Sequence, residues 1–290
     1  MLGRGASAGL RLLCVAVCCV ALTACAGVLV HEVRSDYSHI RVVDSGTQRA
    51  LYFLGTADID VVETVIDLRQ PHVLQHAYSR SVMAGLLYRP EVSSCLLIGL
   101  GGGAMVRFLN HHFPQLRLDV VEIDPAVVRV ARDFFGTTGS GGTRIHVADG
   151  HEFLARGGAR YDLILIDAHL HPDVRTDSTG HPLSLKSAAF YRNVRERLQP
   201  GGIAMFNVVG GRDSKAYVDS IRRAFAAIDV YRPPATGNVI VFATADRMFA
   251  GEKELRTRAQ ALDRHGGFGF SFEKLLDARE QSAGNRGSNR

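Results

Sequence analysis

The stretch Cys95-Leu-Leu-Ile-Gly-Leu-Gly-Gly-Gly103 constrains this chain more than any other. Cys95 to Ile98 is a short apolar run that predicts a buried parallel strand. Gly99, Gly101, Gly102 and Gly103 then predict a tight turn that lets backbone approach a ligand closely. Ala104 to His111 carries apolar residues at helical spacing, so the turn opens a helix whose N-terminus faces that ligand. Roughly twenty residues on, Leu118-Asp-Val-Val-Glu-Ile-Asp124 predicts a second strand with Glu122 at its carboxyl end. Nucleotide-binding α/β folds place an acid there to accept hydrogen bonds from ribose hydroxyls. A glycine-rich loop alone says little. Strand, loop, helix and acid-tipped strand in this order predict an adenosine-type ligand.

Two more strands complete the pattern. Arg144-Ile-His-Val-Ala-Asp149 ends in Asp149, with Gly150 next and Phe153 one helical turn beyond. Tyr161-Asp-Leu-Ile-Leu-Ile-Asp167 is again tipped by a carboxylate. In an open parallel sheet ligands bind outside the carboxyl ends of the strands, so Glu122, Asp149 and Asp167 are expected to converge on one crevice. Any one of them could merely cap the following helix. Three acids at one sheet edge read as a site.

These motifs together, the glycine loop, Val-Glu-Ile-Asp, Asp-Gly-x-x-Phe-Leu and Tyr-Asp-Leu-Ile-Leu-Ile-Asp, resemble the spermidine synthases, the polyamine aminopropyltransferases. The resemblance runs from about Asp36 to Ala245. It implies an α/β fold: a doubly wound, mostly parallel Rossmann-like sheet of the AdoMet-methyltransferase type, with a small N-terminal β domain. It also implies roles. Gly99, Gly101 and Gly103 would lie against the nucleoside, Glu122 would hold the ribose, Asp149 with Gly150 would meet the adenine, and Asp167 would be the catalytic acid/base residue. Decarboxylated S-adenosylmethionine or S-adenosylmethionine would be the co-substrate, and no metal is required.

Three departures from that family concern the amine half of the site. The family's first loop reads Gly-Gly-Gly-Asp-Gly, and its Asp grips the donor's aminopropyl amine; here Gly102 stands in its place. Asp-Ser-x-Asp-Pro after the fourth strand becomes Asp167-Ala168-His169-Leu170, so a second acid is missing. The family's Tyr-His pair becomes Tyr78-Ser79-Arg80-Ser81, in an unfixed register. An ammonium pocket needs carboxylates to offset the desolvation of a cation. The chain therefore looks like a divergent, spermidine synthase-like branch. The first expectation is aminopropyl transfer from a nucleoside sulfonium to a small-molecule amine. The alternatives are a nucleoside-binding scaffold without turnover and an AdoMet-dependent methyltransferase.

At the N-terminus Arg4 and Arg11 precede an uncharged apolar run from Leu12, and Leu22-Thr-Ala-Cys25 matches the bacterial lipoprotein pattern with Cys25 as the lipidated residue. The rival is a transmembrane anchor, the apolar run being extendable to Val30, but the length of the segment Leu12 to Leu22 suits a signal peptide. Residues 1–25 are thus expected to be a lipoprotein signal, with the domain lipid-anchored in the cell envelope, facing periplasm or exterior. Cys14, Cys18, Cys19 and Cys25 all lie in this segment, which leaves Cys95 alone in the body as a core residue. With no Lys/Arg run and no Trp, nucleic-acid binding gets no support. A homodimer stays open.

Residues 26–72 contain two alternating runs, His39 to Val43 and Ala50 to Leu54, split by Asp44-Ser45-Gly46, which predicts a β-hairpin domain; Val61 to Ile66 could add a strand. Residues 73–280 read as the Rossmann-like nucleoside-binding domain, entered by a helix over Leu74 to Leu87 and closed by a hairpin of Asp229 to Tyr231 and Asn238 to Ala243. The tail 281–290 is polar and expected to be disordered. Asp167, His169, His171, Asp173 and His181 crowd the loop after the fourth strand. Nothing in that spacing defines tetrahedral metal geometry, so the segment Asp173 to His181 is read as a mobile gate over the crevice.

Overall fold

The computed structural model describes residues 27–54, 60–170, 175–246 and 248–280. The expected signal segment with Cys25, the tail 281–290, His171 and Asp173 lie outside them. β1 (Val28–Arg34), β2 (His39–Ser45), β3 (Gln48–Leu54) and β4 (Asp60–Asp67) form an antiparallel meander in that order. Ser45 pairs with Gln48 across a tight turn at Gly46, whose φ of 59° lies in the left-handed region. β1 is an addition to the strands expected from sequence. Its Val28-Leu-Val30 continues the N-terminal apolar run, so no alternation marks its start.

The second sheet contains β5 (Ser94–Ile98), β6 (Arg117–Glu122), β7 (Thr143–Val147), β8 (Tyr161–Ile166), β9 (Leu198–Val209), β10 (Ala227–Tyr231) and β11 (Asn238–Thr244). Their spatial order is β10-β11-β9-β8-β5-β6-β7. β5 to β9 pair in parallel, and β11 and β10 close the sheet antiparallel. The fold is therefore a doubly wound, mostly parallel α/β sheet with a small antiparallel N-terminal sheet. The winding reverses between β5 and β8, and that reversal opens a crevice at their carboxyl ends.

β5 and β8 are buried at every position, which explains why their sequences are apolar apart from Ser94 and Asp162 near their amino ends. Alternate residues serve opposite faces. Leu97, Leu163 and Leu165 join a core that includes Ile40, Leu51 and Ile66 of the meander. Leu96, Ile98, Ile164 and Ile166 join a second core with Phe190 and Tyr217. The meander is thus bound to the main sheet through continuous apolar packing. Helix ends follow local chemistry. Asp124 accepts the Ala126 N–H to cap the helix Pro125–Phe135, Pro125 opens it, and Gly136 closes it at a φ of 65°.

The helix expected over Leu74 to Leu87 is broken into Ala77–Val82 and Gly85–Tyr88. Tight bonds from Met83 N–H to the Arg80 carbonyl and from Ala84 N–H to the Ser81 carbonyl turn the chain there, and the turn buries Met83 and Ala84. The helix Glu252–His265 escaped the sequence reading because only Leu255 and Ala259 of its residues are buried.

A buried carboxylate clamps the amino ends of β5 and β8. Asp162 Oδ2 accepts from the backbone N–H of Ser93 and Ser94, each at 3.0 Å, and from their hydroxyls at 2.9 and 3.0 Å. Its Oδ1 accepts from Arg89 at 2.9 Å. Burial opposes the charge, but these donors outweigh it and hold the carboxyl at about 2. Asp162→Ala would orphan the donors, and we expect it to cost about 3 kcal/mol, read as a lowered urea midpoint at unchanged m-value. A loss under about 1 kcal/mol would show that the clamp is dispensable.

Candidate active site

The loop after β5 is pressed between two other segments. Gly99 has a φ of 97°, and a side chain there would collide with the backbone carbonyl of Asp167 at the end of β8. At Gly102 a Cβ would meet Thr64 Cγ2 at 2.8 Å and Phe135 Cδ1 at 2.9 Å. The Gly102 N–H donates to Thr64 Oγ1 at 2.9 Å. The missing acid at position 102 therefore has a steric reason: β4 occupies the space.

Around this loop lies a cavity of about 430 Å³. Gly99, Gly101, Glu122, Asp149, Gly150 and Asp167 all line it, so all of these residues singled out in the sequence share one chamber. Gly103 stands behind it, as the N-cap of the helix Ala104–His112. Glu122 ends β6 and is almost fully buried. Its Oε2 accepts the Leu100 N–H and its Oε1 the Asp124 N–H, both at 2.9 Å. Burial pushes its carboxyl up to about 7, against the pull of those two N–H groups. Asp149 does both things open to it: Oδ1 caps the helix Gly150–Ala155 through the Glu152 N–H, and the residue lines the cavity.

Asp167 follows β8 and is anchored from several sides. Its N–H donates to the Ile98 carbonyl at 2.9 Å. Asn207 Nδ2 of β9 donates to Oδ1 at 2.6 Å, and Asn238 Nδ2 of β11 donates to Asn207 Oδ1 at 2.9 Å. The second bond sets which end of the Asn207 amide faces Asp167. Tyr78 Oη stands 3.5 Å from Oδ2, and His169 Nδ1 stands 4.0 Å from Oδ1. The Asp167 side chain accepts no bond from its own loop among the described residues.

Sequence reading missed Asn207, the placement of Tyr78, and above all Glu63. Glu63 lies on β4 and lines both the main cavity and a side chamber of about 30 Å³ that also touches Tyr78, His76, Gln75 and Asp167. Burial, then the charges of Asp167 and Glu122, push its carboxyl up to about 8. One signal could have exposed it: an acid inside the β-branched run Val61-Val-Glu-Thr-Val-Ile66. In the loop after β8, His169 and His181 pack ring against ring at 4.2 Å, and His181 Nε2 accepts the Val209 N–H at 3.0 Å. Burial lowers both imidazoles.

Raised carboxyls tie stability to pH. Glu63 and Glu122 hold protons more tightly folded than unfolded, so their contribution is full below the ordinary carboxyl range and is lost as pH rises through about 7 to 8. The lowered imidazoles of His76, His169 and His181 are neutral in both states above about pH 7 and add no slope there. The melting temperature of the ligand-free protein is expected to fall between about pH 7 and pH 9, and to fall less in Glu63→Gln. Equal slopes in the two proteins would mean that Glu63 does not titrate in this range.

Comparison with known proteins accords with this geometry. The spermine/spermidine synthase domain matches residues 75–245. A polyamine aminopropyltransferase from Chromobacterium violaceum is 29% identical over 253 residues, spanning 84% of this chain and 92% of that protein. The human eEF1A lysine and N-terminal methyltransferase is 31% identical over 205 residues, which are 64% of this chain but 29% of that longer protein. Among solved structures, a spermidine synthase in complex with the transition state analogue AdoDATO superposes with a TM-score of 0.66 at 17% identity, covering 86% of this chain and 84% of that one.

Proposed function

The chain belongs to the spermine/spermidine synthase family, and from that premise we propose that it transfers an aminopropyl group from decarboxylated S-adenosylmethionine to a primary amine. One observation carries the reading: Glu122 and Asp149 line the same cavity as Asp167, which Asn207 holds in place. Glu122 would take the ribose hydroxyls on the lone pairs its two backbone donors leave open. Asp149, with Gly150 beneath it, would face the adenine, and the glycine loop would lie along the nucleoside.

The chemistry follows from the charge balance. A primary amine has a pKa near 10 judged from lysine, so it arrives protonated and must lose a proton before it can attack. Asp167 is the group to orient it and accept that proton. The amine nitrogen then forms a bond to the methylene beside the sulfonium, the C–S bond breaks, and sulfur keeps the pair as neutral methylthioadenosine leaves. Burial of the crevice strengthens these electrostatics.

Methyl transfer is the second reading, supported by the methyltransferase relative at 31% identity. Product analysis with decarboxylated and intact S-adenosylmethionine separates the two, and absence of any product would leave the nucleoside-binding scaffold. In the transfer assay, Asp167→Asn is expected to lower kcat about a hundredfold with methylthioadenosine affinity nearly unchanged. Glu122→Ala is expected to do the reverse, losing on the order of 1.5–3 kcal/mol of nucleoside binding. Near-normal turnover in Asp167→Asn would remove it from catalysis.

We also propose that Cys25 carries a lipid that tethers the domain to the cell envelope. The support is the Leu22-Thr-Ala-Cys25 pattern behind a basic start. In addition, β1 begins at Val28, so an apolar span extended to Val30 would run into a strand. Cys25→Ser should leave unprocessed precursor in the membrane fraction; processing and release of that variant would refute the anchor.

A further inference from the structure

β4 carries a break in its pairing that matters for the site. Leu51 of β3 pairs with Thr64, yet the next residue, Tyr52, pairs with Val62. Glu63 is therefore the extra, unpaired residue of a β-bulge. A bulge re-aims side chains that regular alternation would send to opposite faces. Here Thr64 reaches the Gly102 N–H while its neighbour Glu63 lines the crevice. The same strand thus fills the space an acid at position 102 would need and brings a carboxylate of its own.

That carboxylate makes no hydrogen bond or ion pair among the described residues. Asp167 and Glu122 are near enough to raise its proton affinity. Carboxylates facing one another in a desolvated site need a shared proton or a cation between them. The side chamber where Glu63 meets Asp167, with Tyr78 and His76 alongside, measures about 30 Å³. That is room for about one ammonium-sized group, judged against the volume of a water molecule.

We propose that Glu63 and Asp167 form the walls of a receptor for a single primary ammonium group, with Glu63 supplying from β4 the charge that the glycine loop lacks at Gly102. The proposal rests on the reading of the cavity as a nucleoside site beside an amine site. The ammonium is either the terminal one of the donor's aminopropyl chain or one end of the acceptor amine. Both present the same chemistry to Glu63, and the chamber takes one head group at a time.

Calorimetric titration of wild type and Glu63→Gln distinguishes the sources. Three titrations are compared: methylthioadenosine, which has no ammonium; decarboxylated S-adenosylmethionine; and 1,4-diaminobutane added to the methylthioadenosine complex. Glu63→Gln is expected to leave methylthioadenosine affinity within about threefold and to weaken an ammonium ligand at least about tenfold. The loss falls on decarboxylated S-adenosylmethionine if the donor's ammonium occupies the chamber, and on the diamine if the acceptor's does. An equal loss for methylthioadenosine would make Glu63 a nucleoside contact and overturn the proposal, as would no loss for either ammonium ligand. It also falls if wild type binds neither. If wild type binds and Glu63→Gln weakens an ammonium ligand but no transfer product forms, the receptor stands and aminopropyl transfer fails. Should Glu63→Gln not fold, Glu63→Asp gives the same comparison by retracting the charge one methylene.

Discussion

The close approach of the β5 loop to the end of β8 is the constraint on which the site depends. At Gly99 the loop lies so near the Asp167 carbonyl that no side chain fits between them. The Asp167 N–H reaches back to the Ile98 carbonyl, and the Gly99 N–H reaches the Val121 carbonyl. Three strand ends are thereby stitched at the point where the winding of the sheet reverses. The cavity that results is lined by Glu122 at the end of β6 and by Asp167 just after β8. A bulkier loop would part β5 from β8 and open the chamber to water, weakening every charge interaction within it.

Burial of acid groups is the second theme. Glu63 and Glu122 hold their protons into the neutral range because both are desolvated, and Glu63 also because Asp167 and Glu122 stand near it. The ligand proposed above, with a sulfonium and an ammonium, would bring positive charge to these carboxyls. Asp162 shows the contrast within the same fold. It too is buried, but four donors from Ser93 and Ser94 and two from Arg89 keep it ionised, and it serves the sheet. Donor supply, not burial alone, separates a structural carboxylate from one left free for a ligand.

The departures from the family take on a physical form in this light. An acid at position 102 is excluded by Thr64 and Phe135, both of which press on the loop from outside it. β4 and the loop have adjusted to each other: the threonine satisfies the loop N–H, and the bulge beside it turns Glu63 inward. Orientation of Asp167 is likewise supplied from a distance, through Asn238 and Asn207 on two strands of the closing half of the sheet.

Local pattern was enough to read the main sheet's parallel strands, the glycine turn and the acids Glu122, Asp149 and Asp167, because each belongs to a strand-to-helix unit only a few residues long. An apolar run with its tip at the carboxyl end of a parallel strand carries its own address. Tyr78, Asn207 and Glu63 had no such address. Tyr78 and Asn207 reach Asp167 across 89 and 40 residues of sequence. Glu63 faces the crevice only through a bulge defined by its pairing with β3. Periodicity within one segment cannot encode contacts that arise when separate segments pack. The strand-end acids were thus written in the sequence itself, and the groups gathered around Asp167 became visible only when separate segments were packed together.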